Sequence, residues 1–198
     1  RYGHSAHGPA FDQGPRMRGA LMEGQGTCRF PVTATAEAQA FVDQGVAQFH
    51  GFQWYECERS FREALHRDPD CVMALGGMAM AANGDVGVHR PVARARALAD
   101  RAVALRYRLS RQGKSLTARE NAYLDGFVRL QRTGGTRAGR RAWLDSLREV
   151  VRGHPEDREA KAFLAFALLK NDHLYKPDGS SYLTRPSAAF LREVDGLV

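Results

Sequence analysis

The stretch Phe41 to Pro69, FVDQGVAQFHGFQWYECERSFREALHRDP, limits the fold more than any other. It predicts two amphipathic helices joined by a short turn around Gln53-Trp54. The first carries Phe41 and Gly45 four apart, and the second carries Cys57, Phe61 and Ala64 at spacings of four and three, so each set shares one helix face. Small residues on those faces let two helices cross closely, and Asp68-Pro69 stops the second, because proline has no amide hydrogen to continue the ladder. After Pro69 the pattern begins again with Cys71, Met73, Leu75, Met78 and Ala79 on one face, and Gly76-Gly77 permits another close approach. The step from Gly45 to Ala79 is 34 residues. A period of that length marks an array of stacked helical pairs, each of which buries its apolar face only against its neighbours.

The rest of the chain fits this frame with interruptions. Residues 1 to 34 read as an extended arm: residues 1 to 30 hold six glycines and two prolines without helical period, yet Tyr2, Phe11, Met17, Leu21, Met22 and Phe30 give the arm apolar points to bury. Thr33 or Thr35 is the expected N-cap of the first helix, with Glu37 favourably placed in its first turn. Asn83 to Pro91 interrupts the pattern before a helix over Val92 to Tyr107. A helix over Leu116 to Gln131 follows, where Thr117 and Glu120 have capping-box spacing, then one over Arg140 to Arg152 with Trp143, Leu147 and Val150. His154-Pro155 repeats the stop at Asp68-Pro69. Further helices are expected over Glu156 to Lys170 and, beyond the polar turn Asn171 to Arg185, over Pro186 to Leu197.

With Phe41, Gly45, Cys57, Phe61, Ala64 and Pro69 at these spacings, residues 35 to 198 resemble the tetratricopeptide-repeat family. The runs FDQGPR, DQGVAQFHGF and ERSFREALHRDPDCVMALGGMAMA are also similar to a group of exported bacterial repeat proteins with no assigned activity. Gln44 and Gln48 depart from the pattern, standing where the family usually has leucine and tyrosine. The resemblance implies an all-α, right-handed helical-hairpin solenoid of about three and a half pairs, and a concave groove that binds extended or helical peptide segments. It also favours export, periplasmic or extracellular, over a cytoplasmic location. The start at Arg1, without methionine, reads as a mature, processed product or an expressed fragment.

Periodicity places Gln39, Val42, Val46, Phe49 and His50 on the groove side of the first unit, Met73, Met80 and Asn83 on the second, Val128 and Arg132 on the third, and Phe166, Leu169 and Lys170 on the fourth. That floor is apolar with a basic end and suits a hydrophobic polypeptide segment. The other reading is that the arm or the last helix covers these residues, since large exposed apolar patches are usually covered. The arm either folds back on its own chain or lies in a neighbour's groove, where head-to-tail contact would build an oligomer or filament.

Other chemistries find less support. The net charge is +7 and 29 residues are basic, all arginine but Lys114, Lys161, Lys170 and Lys176. The arginines are spread over every helix without a stripe of stacking aromatics, which argues against nucleic acid. No apolar run approaches the roughly 18 residues of a membrane span. Cys28, Cys57 and Cys71 lack CxxC spacing, and burial of the thiols is expected ahead of a Cys57–Cys71 bridge. His4 and His7 are the candidate metal ligands, two imidazoles that need a further donor such as Asp12 or His50. TGGTRAG lacks the lysine of a phosphate-cradling loop, and Glu56, Glu58 and Glu63 beside Arg59 and Arg62 read as ion pairs along a helix, so no catalytic residue and no cofactor are expected.

Overall fold

The computed structural model describes residues 13–83, 91–172 and 188–197. Among these, eight helices and no strand occur: α1 (Ala36–His50), α2 (Trp54–Arg67), α3 (Val72–Ala82), α4 (Val92–Arg111), α5 (Ala118–Arg132), α6 (Arg137–Gly153), α7 (Arg158–Asp172) and α8 (Ala188–Asp195). Consecutive helices pack against one another, and α3 also lies beside both α1 and α5. Among the described residues no helix is long and apolar enough to cross a membrane.

Local chemistry sets the boundaries. Thr35 caps α1 by accepting the amide of Ala38, and Thr117 with Glu120 forms the expected capping box on α5. The α1–α2 turn comprises Gly51 to Gln53, with Phe52 in the left-handed region at φ 59°. Two helices are longer than expected. α4 runs on to Arg111 because its last turn, rich in arginine, meets no stop before Gly113, and α6 starts at Arg137 because Thr136 accepts the amide of Gly139.

One ring explains the small residues of α1 and α3. Phe61 of α2 lies between Gly45 of α1 and Gly77 of α3; a Cβ on Gly77 would sit 2.4 Å from that ring and one on Gly45 3.0 Å from it. Three helices therefore close around a single buried phenylalanine.

The core continues into the space where sequence periodicity places a trough. Phe163 and Phe166 of α7 reach across to Phe49 of α1, with ring centroids at 5.1 and 5.2 Å, and Phe163 also meets Phe30, Tyr123 and Phe127. The space left among Phe30, Phe49, Phe61, Met73, Met80, Phe127 and Phe163 is about 10 Å³, the least that holds one water. Offset and edge-to-face contacts of this kind add to the burial energy of the rings. The space that periodicity gives to a groove is thus filled by the chain's own α7.

Candidate polypeptide-binding face

Val42, Val46, Phe49, Met73, Met80, Asn83, Val128, Phe166 and Lys170 are buried. They build the core instead of lining an open groove: Phe163 and Phe166 of α7 pack on Phe49, and Phe30 closes the space beside Val46, Met73 and Met80. Lys170 donates from Nζ to the Asn83 carbonyl at 3.1 Å and sits over the Phe166 ring. His50 is half-buried, its Nε2 3.0 Å from Oε2 of Glu159, and Leu169 is half-buried as well. Arg132 is exposed and paired with Asp100 at 3.0 Å. Gln39 bonds an extended stretch of polypeptide through that stretch's backbone groups.

That polypeptide is the arm. Gln39 donates from Nε2 to the carbonyl of Phe30 at 2.8 Å and accepts at Oε1 from the amide of Val32 at 2.9 Å, while Asp43 accepts from the amide of Phe30 at 2.8 Å. Five residues along α1, Gln44 repeats the pair: Nε2 donates to the carbonyl of Ala20 at 2.9 Å and Oε1 accepts from the amide of Met22 at 2.7 Å. A carboxamide that bonds residues i and i+2 of an extended segment imitates a neighbouring β-strand, and it reads the backbone whatever the side chains are.

Gln44 and Gln48 occupy positions that are apolar in the family pattern, and the structure shows what their polarity serves. Gln44 Nε2 also donates to Oγ of Ser60 at 2.9 Å, and Ser60 donates to Oε1 of Gln48 at 2.7 Å. This buried relay fixes the orientation of the Gln44 amide, so that it meets the arm already aimed. Gln48 Nε2 lies 3.6 Å from the Met22 sulfur.

Side-chain recognition comes from α2. Glu63 is 2% exposed and receives both Nε (2.5 Å) and Nη2 (2.6 Å) of Arg18, with Arg67 Nε at 2.8 Å. Two parallel bonds from one guanidinium are specific to arginine. The Arg18 bonds hold the Glu63 carboxyl down to about 2 against its burial, and the Arg67 bond adds to them. Gly19 follows Arg18 because the backbone runs hard against α2: a Cβ there would sit 3.1 Å from Cβ of Glu63 and 3.2 Å from the Arg59 carbonyl oxygen. Glu58, fully buried, is held by Arg62 and by a two-pronged bond from Arg94 of α4, and Gly14 packs directly on this group. Of the ion pairs expected along α2, Glu56–Arg59 and Glu58–Arg62 are present, while Glu63 pairs with Arg67, which the expectation did not name; Glu58 and Glu63 also hold partners outside α2.

Arg18, Gln44 and Glu63 were missed as site residues by sequence reading. The available signal was two glutamines in apolar register on α1, facing a serine and a glutamate on α2. The metal candidates His4 and His7, with Asp12, lie outside the described residues. Among the described residues no group of three or more His, Cys, Asp or Glu side chains is placed to hold a metal ion. Cys28, Cys57 and Cys71 are free thiols, and burial pushes all three well above the ordinary thiol range.

Comparisons with protein-family models, with curated proteins and with solved structures find no match to the chain.

Proposed function

We propose that this chain is a protein-interaction scaffold, a right-handed stack of tetratricopeptide-type helical pairs, that binds an extended polypeptide segment on its α1–α2 face. The observation that carries this reading is the pre-aimed Gln44 carboxamide, bonded to the backbone of residues 20 and 22 and oriented from behind by Ser60 and Gln48. The buried Glu63 beside it selects an arginine, and the tight passage at Gly19 selects a glycine after that arginine. The partner segment is therefore extended and carries Arg-Gly. The arm holds the face as an intramolecular ligand, and a tether this short gives it an effective concentration in the millimolar range, so a free competitor must first see the arm weakened.

The test uses the full chain. In the Arg18→Ala variant the arm loses its anchor, and a fluorescent peptide with the sequence of residues 13–22 is expected to bind saturably by anisotropy. Binding should fall at least tenfold when Gln44→Ala is added. An Arg18→Ala protein that shows no saturable binding at millimolar peptide removes the reading.

A further inference from the structure

Nothing in the docking of residues 13–22 depends on which molecule they belong to. Their partners are side chains of α1 and α2, with Arg94 of α4 behind Gly14, all of them carried by helices that do not include the arm. The arm is anchored downstream at Phe30, which is buried among Tyr123, Phe163 and Arg119. Between Met22 and Phe30 the chain turns at Gly24 and Gly26, which have φ of 75° and 80°, and a Cβ at either would meet nothing within 4 Å. Glycine crosses between positive and negative φ at little cost, so this link can open at these two turns, giving up only the contacts of Cys28 and Arg29 with Glu159 where it runs fully extended. Extended, residues 23 to 29 span about 23 Å at about 3.3 Å per residue.

We propose that residues 13–22 exchange between two copies of this chain, each arm docking on the α1–α2 face of the other to form a closed, reciprocal dimer. This rests on the reading that the face binds an extended Arg-Gly segment; the arm of a second copy is the segment whose fit is on view. Two further observations favour a second copy. Met17, Leu21 and Met22 on the outer edge of the docked arm are exposed at 74%, 59% and 47%, an apolar ridge that an approaching copy covers. Reciprocal exchange also fills both faces with two molecules, whereas an open head-to-tail chain leaves one arm and one face empty at its ends. The face used is made by Gln44 of α1 and Glu63 of α2, whereas the filled space lies among Phe30, Phe49, Phe127 and Phe163, so that filling is no obstacle.

In the wild type the tethered arm wins at low concentration, and the link decides the balance. Proline is confined to negative φ, so Gly24→Pro with Gly26→Pro removes the turn that returns the arm to its own face and favours the opened link. Light scattering at about 100 µM is expected to give the double variant a mass near twice 21.9 kDa, and adding Arg18→Ala should return it to the single mass. A double variant that stays single in mass overturns the exchange. A dimer that survives Arg18→Ala overturns it too, because another surface is then responsible. The peptide of residues 13–22 separates this failure from failure of the underlying reading: a single-mass double variant that binds the peptide has a vacant, competent face, whereas one that refuses it has none. A second measurement needs no substitution. Wild-type protein at about 1 mM, half of it labelled with ¹⁵N, should show pairs of intermediate mass by native mass spectrometry, and their absence counts against exchange.

Discussion

Gln39 and Gln44 sit five residues apart on α1 and hold two pieces of the same arm by the same pair of backbone bonds, yet the two pieces are not equivalent. At the inner clamp, Phe30 is 2% exposed, packs edge-on against Tyr123 and Phe163, and lies under the Arg119 guanidinium. Its neighbours extend the hold to other helices: Thr33 bonds Glu120 of α5 through its amide and its hydroxyl, and Arg119 reaches the carbonyl of Pro31. At the outer clamp the large apolar side chains point to water, and Arg18 supplies the grip. A backbone hydrogen bond adds about 1 kcal/mol net, so two of them do not distinguish the pieces. Side-chain burial does: a buried phenylalanine contributes about 1.5–3 kcal/mol that an exposed leucine does not. The inner piece is part of the fold, and the outer piece is a ligand joined to it.

The sharpest way to break the comparison is to cut the inner anchor. Phe30→Ala is expected to destabilise the whole chain by about 3–5 kcal/mol, seen as a lower midpoint in urea, because a large void opens where α1, α5 and α7 meet. A loss confined to the arm, with the midpoint unchanged, would show that the inner piece is peripheral after all.

Next in size is the outer anchor. Glu63→Gln removes the charge from a two-pronged bond whose arginine partner is itself exposed, so a smaller effect than the void at Phe30 is expected. The loss should appear as faster hydrogen exchange at the amide of Met22, with residues 30–35 unchanged. Acid does the same to the wild type. Glu63 is held down to about 2 from 4.5, so its contribution to docking is complete above about pH 4.5 and is lost as the pH falls toward 2. Asp43, which faces the inner clamp, is shifted the other way, raised by burial, so it takes up its proton first as the pH falls, and the carbonyl oxygen of its neutral carboxyl still accepts from the Phe30 amide, more weakly. The buried Phe30 ring keeps the inner piece in place, so acid should release only residues 13–22 as the pH falls toward 2. Glu63→Gln should remove the pH dependence of arm release in that window.

This contrast also marks how far the sequence could be read. The stops at Pro69 and Pro155, the caps at Thr35 and Thr117, and the small residues around Phe61 act over a few residues or one helical crossing, so their spacing revealed the helices and the all-α architecture. The filled inner surface escaped because it depends on α7 returning to α1, more than a hundred residues away, and periodicity tells which face is apolar without telling what meets it. Phe166 and Phe49 each read equally well as floor or as core. That the arm folds back on its own chain is one of the two readings the sequence leaves open; where it lands escaped for a related reason, since residues 13–22 have no period and their destination is fixed by one arginine and two backbone bonds. Gln44 was visible as an anomaly, a polar residue in apolar register, and only its partner turns the anomaly into a site.

Smaller effects sharpen the comparison. Gly19→Val places a branched side chain where a Cβ would already lie 3.2 Å from the Arg59 carbonyl oxygen, and α2 backbone does not yield there. The arm should dock at least tenfold more weakly, measured as competition by the free peptide of residues 13–22, with the urea midpoint moved by less than about 0.5 kcal/mol equivalent.

The smallest expected effect is the most discriminating. Leu21 lies between the two residues whose backbone Gln44 bonds, and it is 59% exposed. If the clamp reads the backbone, Leu21→Ser in dilute protein leaves peptide competition and amide exchange within twofold of wild type, since substitutions at exposed positions stay within about 0.5 kcal/mol. A larger release would mean that apolar contact holds the outer piece as it holds the inner one, and the distinction between Gln39 and Gln44 would then be one of degree. The same substitution at high concentration probes the apolar ridge: copies that exchange arms should lose affinity for one another when Leu21 becomes polar, while each copy keeps its own arm in dilute solution.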